Sequence, residues 1–260
     1  MKKAGKVTVK HFLNKNLKPS DGKYPVYVTI WFQNKLTRVK SHYMLFCRPG
    51  IEPFVQEGFE FADYMDERTF DSLTPRHTYY KAMEREKEAL QNIVRLFFEK
   101  FGKNIVSHAP GEFIRESLRS PFNIVSGFFK NRFRSDLDQK DPKNVLLKHM
   151  ISWGDVTFPH IYDVLYSLSN DGMAATRFYH KILSEYTSGY NLTMLLYDFN
   201  IERDLRFWQW LDNPDAVEDD LRSFFKSKKV TASDIDSYVS ELHEGLTYHL
   251  HYIKGHLTEF

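Results

Sequence analysis

A chain of 260 residues with 42% apolar and 16% aromatic content has room for one or two domains and is too apolar to be globally disordered. Its single cysteine, Cys47, excludes an intrachain disulfide and a cysteine-cluster metal site, and no apolar run approaches the ~18 residues that span a membrane. The net charge of +2 conceals a strong asymmetry: the first fifty residues hold eleven Lys and Arg against one acid, Asp21, and the rest of the chain sums to −8.

A basic segment joined to an acidic body points to a module that meets a polyanion, with nucleic acid the prime candidate, because clustered cations gain affinity by releasing counterions from phosphates. The alternative is a lysine-rich terminus that only solubilises. The N-terminus lacks the apolar stretch of a signal peptide, since Lys10, His11 and Lys15 interrupt it. A soluble, cytoplasmic protein is expected.

Residues 6–46 read as strands. Val7-Thr8-Val9-Lys10 alternates, and Lys18 to Lys23 is a loop of turn formers. Tyr24 to Phe32 is dense in β-branched and aromatic residues. Val26, Val28, Ile30 and Phe32 share one face, and Tyr27, Thr29 and Trp31 the other. Gln33-Asn34-Lys35 is short enough for a hairpin, and Leu36 to Phe46 returns as the next strand. With Val39 inward, Leu36, Arg38, Lys40 and His42 fall on the outer face. The expected fold is α+β: a small three-stranded antiparallel sheet with a covering helix at the N-terminus, then an all-α region.

The covering helix is predicted over 75–101, with Thr74 as N-cap, Pro75 in the first helical position and Gly102 as terminator. Met83, Leu90, Ile93, Val94, Phe97 and Phe101 keep helical spacing, and Glu84 to Glu88 form the wet side. Residues 47–74 read as irregular and acidic. From 110 onward only helices are expected, at 111–119, 122–133, 143–152, 158–169, 173–187, 201–212, 216–227 and 233–256. Asn200 is the expected cap of the sixth, Thr231-Ala232-Ser233-Asp234 begins the last, and Gly154, Asn170-Asp171-Gly172 and Asn213-Pro214-Asp215 are breaks. Three regions follow: 1–105, a connector at 106–156, and a bundle at 157–260.

No phosphate-binding glycine loop, His-Glu-x-x-His or Gly-x-Ser-x-Gly is present. His249 and His251 point ~200° apart on a helix, and His249 and His256 lie two turns apart, so no metal site or cofactor is expected. Trp208 and Trp210 read as core, Cys47 as packing, and the acids at 218–220 as a solvated face.

In the basic strands charge, pattern and aromatic content agree. A β-ribbon of two or three strands fits the major groove of double-stranded DNA. Arg38 suits a bidentate contact to guanine. Lys6, Lys10, Lys35 and Lys40 suit phosphates, and Lys23 and His42 complete the set. The competing reading is a basic face that protects a sheet against strand pairing.

The segment Asp21-Gly22-Lys23-Tyr24-Pro25-Val26-Tyr27-Val28-Thr29-Ile30, followed by Asn34-Lys35-Leu36-Thr37-Arg38, resembles the N-terminal arm-type DNA-binding domain of tyrosine recombinases (integrases) of bacterial mobile elements. The resemblance covers about forty residues. It implies a three-stranded sheet with a helix, reading DNA in the major groove in integration or recombination. More weakly, Val156-Thr157-Phe158, Ala175 to Tyr179, Ile182-Leu183, Phe199 to Glu202 and Ile235 to Ile253 are similar to that family's helical core-binding domain, which would make Arg177, Lys181, Lys228, Lys229 and Lys254 further DNA contacts.

The chain departs from the family in three ways. The catalytic His-x-x-Arg motif occurs nowhere, so the expected function is non-catalytic and the protein is not an enzyme. Residues 157–260 hold nine basic and sixteen acidic residues, which disfavours a DNA clamp. Residues 102–156 have no counterpart. The alternative is a protein-interaction module, in which the acidic helical half docks other protein subunits and the basic N-terminus is incidental.

Overall fold

The computed structural model describes residues 5–17, 21–47, 55–56, 59–60, 63–107, 110–140, 156–170 and 176–258. These form two compact units, one of residues 1–119 with 255–260 and one of residues 120–254. The expected helix at 143–152, the break at Gly154 and the Asp171-Gly172 turn lie outside the described residues.

The first unit is the predicted antiparallel sheet and its helix. Strands β1 (Thr8–Leu13), β2 (Lys23–Phe32) and β3 (Lys35–Lys40) lie in that order, with β2 central. Thr8 to Leu13 pair with Trp31 to Val26, and Tyr27 to Phe32 pair with Lys40 to Lys35. The hairpin is closed by Gln33 and Asn34, both at positive φ (49° and 61°). Two such residues make the turn whose twist matches the flanking strands. β4 (Val55–Gln56) and β5 (Phe59–Glu60) form a small ribbon. β6 (Tyr64–Asp66) pairs with Lys23–Pro25 at the start of β2. The segment read as irregular therefore contributes a strand to the sheet.

Three local expectations are corrected. The return strand ends at Lys40, not Phe46, because residues 43–46 form a 3₁₀ turn. His42 thus lies beyond the strand alternation that placed it on the outer face. Helix α1 (Glu67–Asp71) is capped by Asp66, and α2 runs Thr78–Phe101. The cap of α2 is His77, whose Nδ1 accepts the Tyr79 N–H at 3.1 Å. Thr74-Pro75 instead opens a reverse turn closed by the His77 N–H to the Thr74 carbonyl, with Pro75 in the second position that its fixed φ favours. Gly102 ends α2 at φ 66°, as expected.

The inner face of the sheet buries Val7, Val9, Leu13, Val26, Val28, Ile30, Phe32 and Val39 against Met83, Leu90, Ile93, Val94 and Phe97 of α2. Glu86, expected on the wet side of α2, is 1% exposed and belongs to this buried stripe. A 3₁₀ turn at Ile105–Ser107 and α3 (Pro110–Ser117) also pack with the first unit, beside β3.

The second unit is helical: α4 (Pro121–Lys140), α5 (Phe158–Asn170), α6 (Thr176–Arg203), α7 (Phe207–Asp212), α8 (Pro214–Ser227) and α9 (Ala232–Thr258), whose part up to Lys254 belongs to it. Its core is built of rings. Phe129, Phe133, Phe158 and Tyr186 meet between α4, α5 and α6 at centroid separations of 5.2–6.3 Å. Asn200 does not cap a new helix. The stripe Leu192, Leu196, Phe199 continues through it, Asn200 is buried, and its carbonyl accepts the Asp204 N–H at 2.8 Å. The break comes at Asp204, φ 50°. Asn213 caps α8, and the last helix begins at Ala232 with Thr231 Oγ1 accepting the Asp234 N–H.

Candidate nucleic-acid interface

The outward residues of the three strands form a grid of three rows by three strands. The register sets Thr8, Trp31 and Leu36 side by side at the hairpin end, then Lys10, Thr29 and Arg38, then Phe12, Tyr27 and Lys40. Neighbouring strands stand ~4.8 Å apart and successive rows ~7 Å apart, so the grid measures roughly 10 by 14 Å. The major groove is about 12 Å wide and admits such a ribbon. Lys10, Arg38, Trp31 and Leu36 are exposed, and Phe12, Tyr27, Thr29 and Lys40 are half-buried. The grid holds three cations and no acid.

Arg38 is held in place. Its guanidinium lies over the Phe12 ring, 5.7 Å from the centroid, and Phe12 in turn packs on Tyr27 at 6.1 Å. A cation resting on a ring face loses less freedom on meeting a phosphate or a guanine edge than a free side chain does. Lys35 is exposed beside the turn, Lys23 at the foot of β2 and Lys6 just ahead of β1. Lys6 and Arg95 flank a shallow cleft with Gln91, whose side chain donates to the Val7 carbonyl at 3.1 Å. Arg95, Phe12 and Thr8 were not singled out from sequence. The outward parity of Thr8 and Phe12 with Lys10 was the available signal, whereas Arg95 sits on a helix distant in sequence.

His42 contributes differently. Its backbone N–H donates to Glu86 Oε1 at 2.6 Å, so this residue is tied beneath the sheet. The same carboxylate accepts from the Ser41 hydroxyl at 2.6 Å and meets His11 Nε2 at 2.8 Å. Asp63 accepts the Met44 N–H at 2.7 Å, and burial, with repulsion from Glu86 adding to it, pushes its carboxyl up to about 6. Burial beside Asp63 likewise raises the Tyr43 phenol well above its ordinary range. This polar layer fixes β1, the β3 exit and α2 to one another, and so fixes the grid.

The candidates in the second unit are divided between opposite ends of its long helices. Lys181 is exposed near the start of α6. Lys228 pairs with Glu202 at 3.2 Å near that helix's other end, ~30 Å away along the axis. Lys228 also lies over the Phe224 ring at 4.8 Å, and Lys229 follows it at φ 62°. Lys254 is half-buried, ~33 Å along α9 from its first residue. Arg177 lies in the first turn of α6. Among the described residues no group of three or more His, Cys, Asp or Glu is placed to hold a metal ion. No helix among them is long and apolar enough to cross a membrane. Comparison with known proteins adds no template for the grid: no protein-family model, no curated protein and no solved structure matches this chain.

Proposed function

We propose that the chain binds double-stranded DNA through the outer face of its N-terminal sheet, without cutting it. The observation that carries this reading is the grid itself: Lys10, Arg38 and Lys40 on an open, acid-free face, with Lys35 at the tip and Lys6 and Lys23 at its margins. The resemblance of Asp21–Ile30 and Asn34–Arg38 to arm-type modules supports a role in DNA integration or recombination on a mobile element, inside the cell. The absence of His-x-x-Arg from the sequence supports binding in place of catalysis.

A single-stranded ligand is the nearer rival, because three rings share the face. Sequence-tolerant strand binding uses free aromatic faces on which successive bases stack. Here Phe12 lies under Arg38 and against Tyr27, and only Trp31 is open, so the duplex is favoured.

Fluorescence anisotropy of the full chain with labelled duplex at several salt concentrations tests the proposal. Neutralising five or six phosphates corresponds to a log–log salt slope of about −5. An unlabelled single strand that competes better than duplex would transfer the face to single-stranded ligands. No binding at low salt would reduce the basic block to a solubilising surface.

A further inference from the structure

The hairpin end of the grid is apolar where the rest is basic. Trp31 and Leu36 are directly paired across β2 and β3, and they are 53% and 55% exposed. The other two rings of the face are occupied by each other and by Arg38.

Area decides what this pair can meet. A Trp offers at most ~250 Å², so a half-exposed Trp and Leu present on the order of 200 Å². A stable protein partner needs ~800 Å² on each side. The patch is too small for a second protein chain and matches the edges of one or two bases. It is also flanked by Lys10 and Arg38 in the next row and by Lys35 at the turn, so a polyanion is the partner that charge complementarity selects. In the major groove the apolar group on offer is the C5 methyl of thymine. The row holding Trp31 and Leu36 stands ~7 Å from the row holding Lys10 and Arg38, the rise of about two base pairs. Cations seated on phosphate or guanine therefore leave the apolar pair over bases two steps away.

From this juxtaposition we propose that Trp31 and Leu36 bind thymine methyl groups in the major groove and make the interface selective for thymine-containing sites. The proposal rests on the duplex-binding reading and adds the chemistry that the apolar row recognises. Lys10 supplies anchorage and Arg38 reads one base edge; Trp31 and Leu36 add discrimination for the methyl group.

The test compares a fixed alternating A·T duplex with the same duplex carrying uracil at every thymine, which removes only the methyl groups. The full chain and its W31S/L36S variant are titrated against both. Both side chains are exposed, so the variant keeps its core. The full chain should prefer the thymine duplex by about fourfold for each methyl desolvated. In the variant the two duplexes should bind alike, with the salt slope unchanged. A ratio near one in the full chain, with salt-dependent binding intact, would overturn the inference and leave duplex binding standing. So would a ratio that survives in the variant. Absence of binding to either duplex at low salt would overturn duplex binding and this inference together.

Discussion

His11 Nε2 lies 2.8 Å from Glu86 Oε2 beneath the sheet, with side chains only 8% and 1% exposed. The contact joins the middle of β1 to the middle of α2 across 75 residues of sequence. Glu86 also accepts from the Ser41 hydroxyl and the His42 N–H, so one carboxylate serves three donors at the exit of β3. Removing it strands all three, and each buried group left unsatisfied costs about 1–3 kcal/mol. Glu86→Ala should therefore destabilise the N-terminal unit by roughly 3–5 kcal/mol. Glu86→Gln, which keeps the volume and one acceptor oxygen, should cost about 1–2 kcal/mol. Hydrogen exchange at the amides of β1 to β3 reports the order. Equal protection in wild type and Glu86→Ala would mean the carboxylate is not the tie described.

Asp63 makes the same region sensitive to pH in a direction opposite to most carboxylates. An unfolded Asp titrates near ~3.9, and in the folded protein burial holds Asp63 at about 6. Between those values the folded state binds more protons, so this group's contribution to stability rises as pH falls through 6 toward 4. Asp63→Asn supplies the neutral form at every pH and keeps an oxygen for the Met44 N–H. The variant should exceed wild type by up to ~3 kcal/mol at neutral pH and lose that advantage near pH ~4. Thermal unfolding of both proteins at the two pH values measures it; a pH-independent difference would refute the assignment.

The sheet was legible because its apolar faces follow period two without interruption from Val26 to Phe32. Both members of the His11–Glu86 pair were missed for one reason. His11 stands at an inward position between Val9 and Leu13, and Glu86 at an inward position between Met83 and Leu90. Each breaks an apolar pattern, and a charged residue in a helix is ordinarily assigned to water. Two such breaks on elements that pack together satisfy each other, a relation that no single window of sequence contains. The long α6 was divided wrongly because Asn200 carries a cap's chemistry, while the stripe through Leu196 and Phe199 carries the packing that decided the outcome. The outer grid was half legible: β2 and β3 gave their rows, and Phe12 emerged only once the register placed it beside Tyr27.

The lysines of the interface should behave as phosphate contacts. Lys10→Ala and Lys35→Ala should each weaken binding to all duplexes alike and make the log–log salt slope shallower by about 0.9. Arg38→Ala should instead flatten preference at one base position by ~1–3 kcal/mol, because a bidentate contact distinguishes bases. Lys140→Ala, which removes a side chain paired with Glu185 in the second unit, should change neither quantity. Salt titrations of the variants against one duplex and against a set of single-base replacements separate these behaviours. A salt slope left unchanged by both lysine variants would detach the grid from the phosphates.

Two glycines in helices of the second unit should respond oppositely to the same substitution. A Cβ at Gly127 in α4 would meet nothing within 4 Å, whereas one at Gly189 in α6 would lie 2.6 Å from the Phe129 ring. Replacing a helical glycine by alanine gains about 0.8–1 kcal/mol in backbone propensity. At Gly127 nothing opposes that gain, so Gly127→Ala should stabilise by most of it. At Gly189 the ring must move, and Phe129 is buried and stacked on Phe158 at 5.5 Å, itself packed on Phe133 and Tyr186. Overpacking of a closed core costs about 1–3 kcal/mol and exceeds the propensity gain. Gly189→Ala should therefore lower the unfolding midpoint of the helical unit while Gly127→Ala raises it. A rise in both would show that α4 and α6 have room to separate, and that the ring cluster between them is looser than its geometry implies.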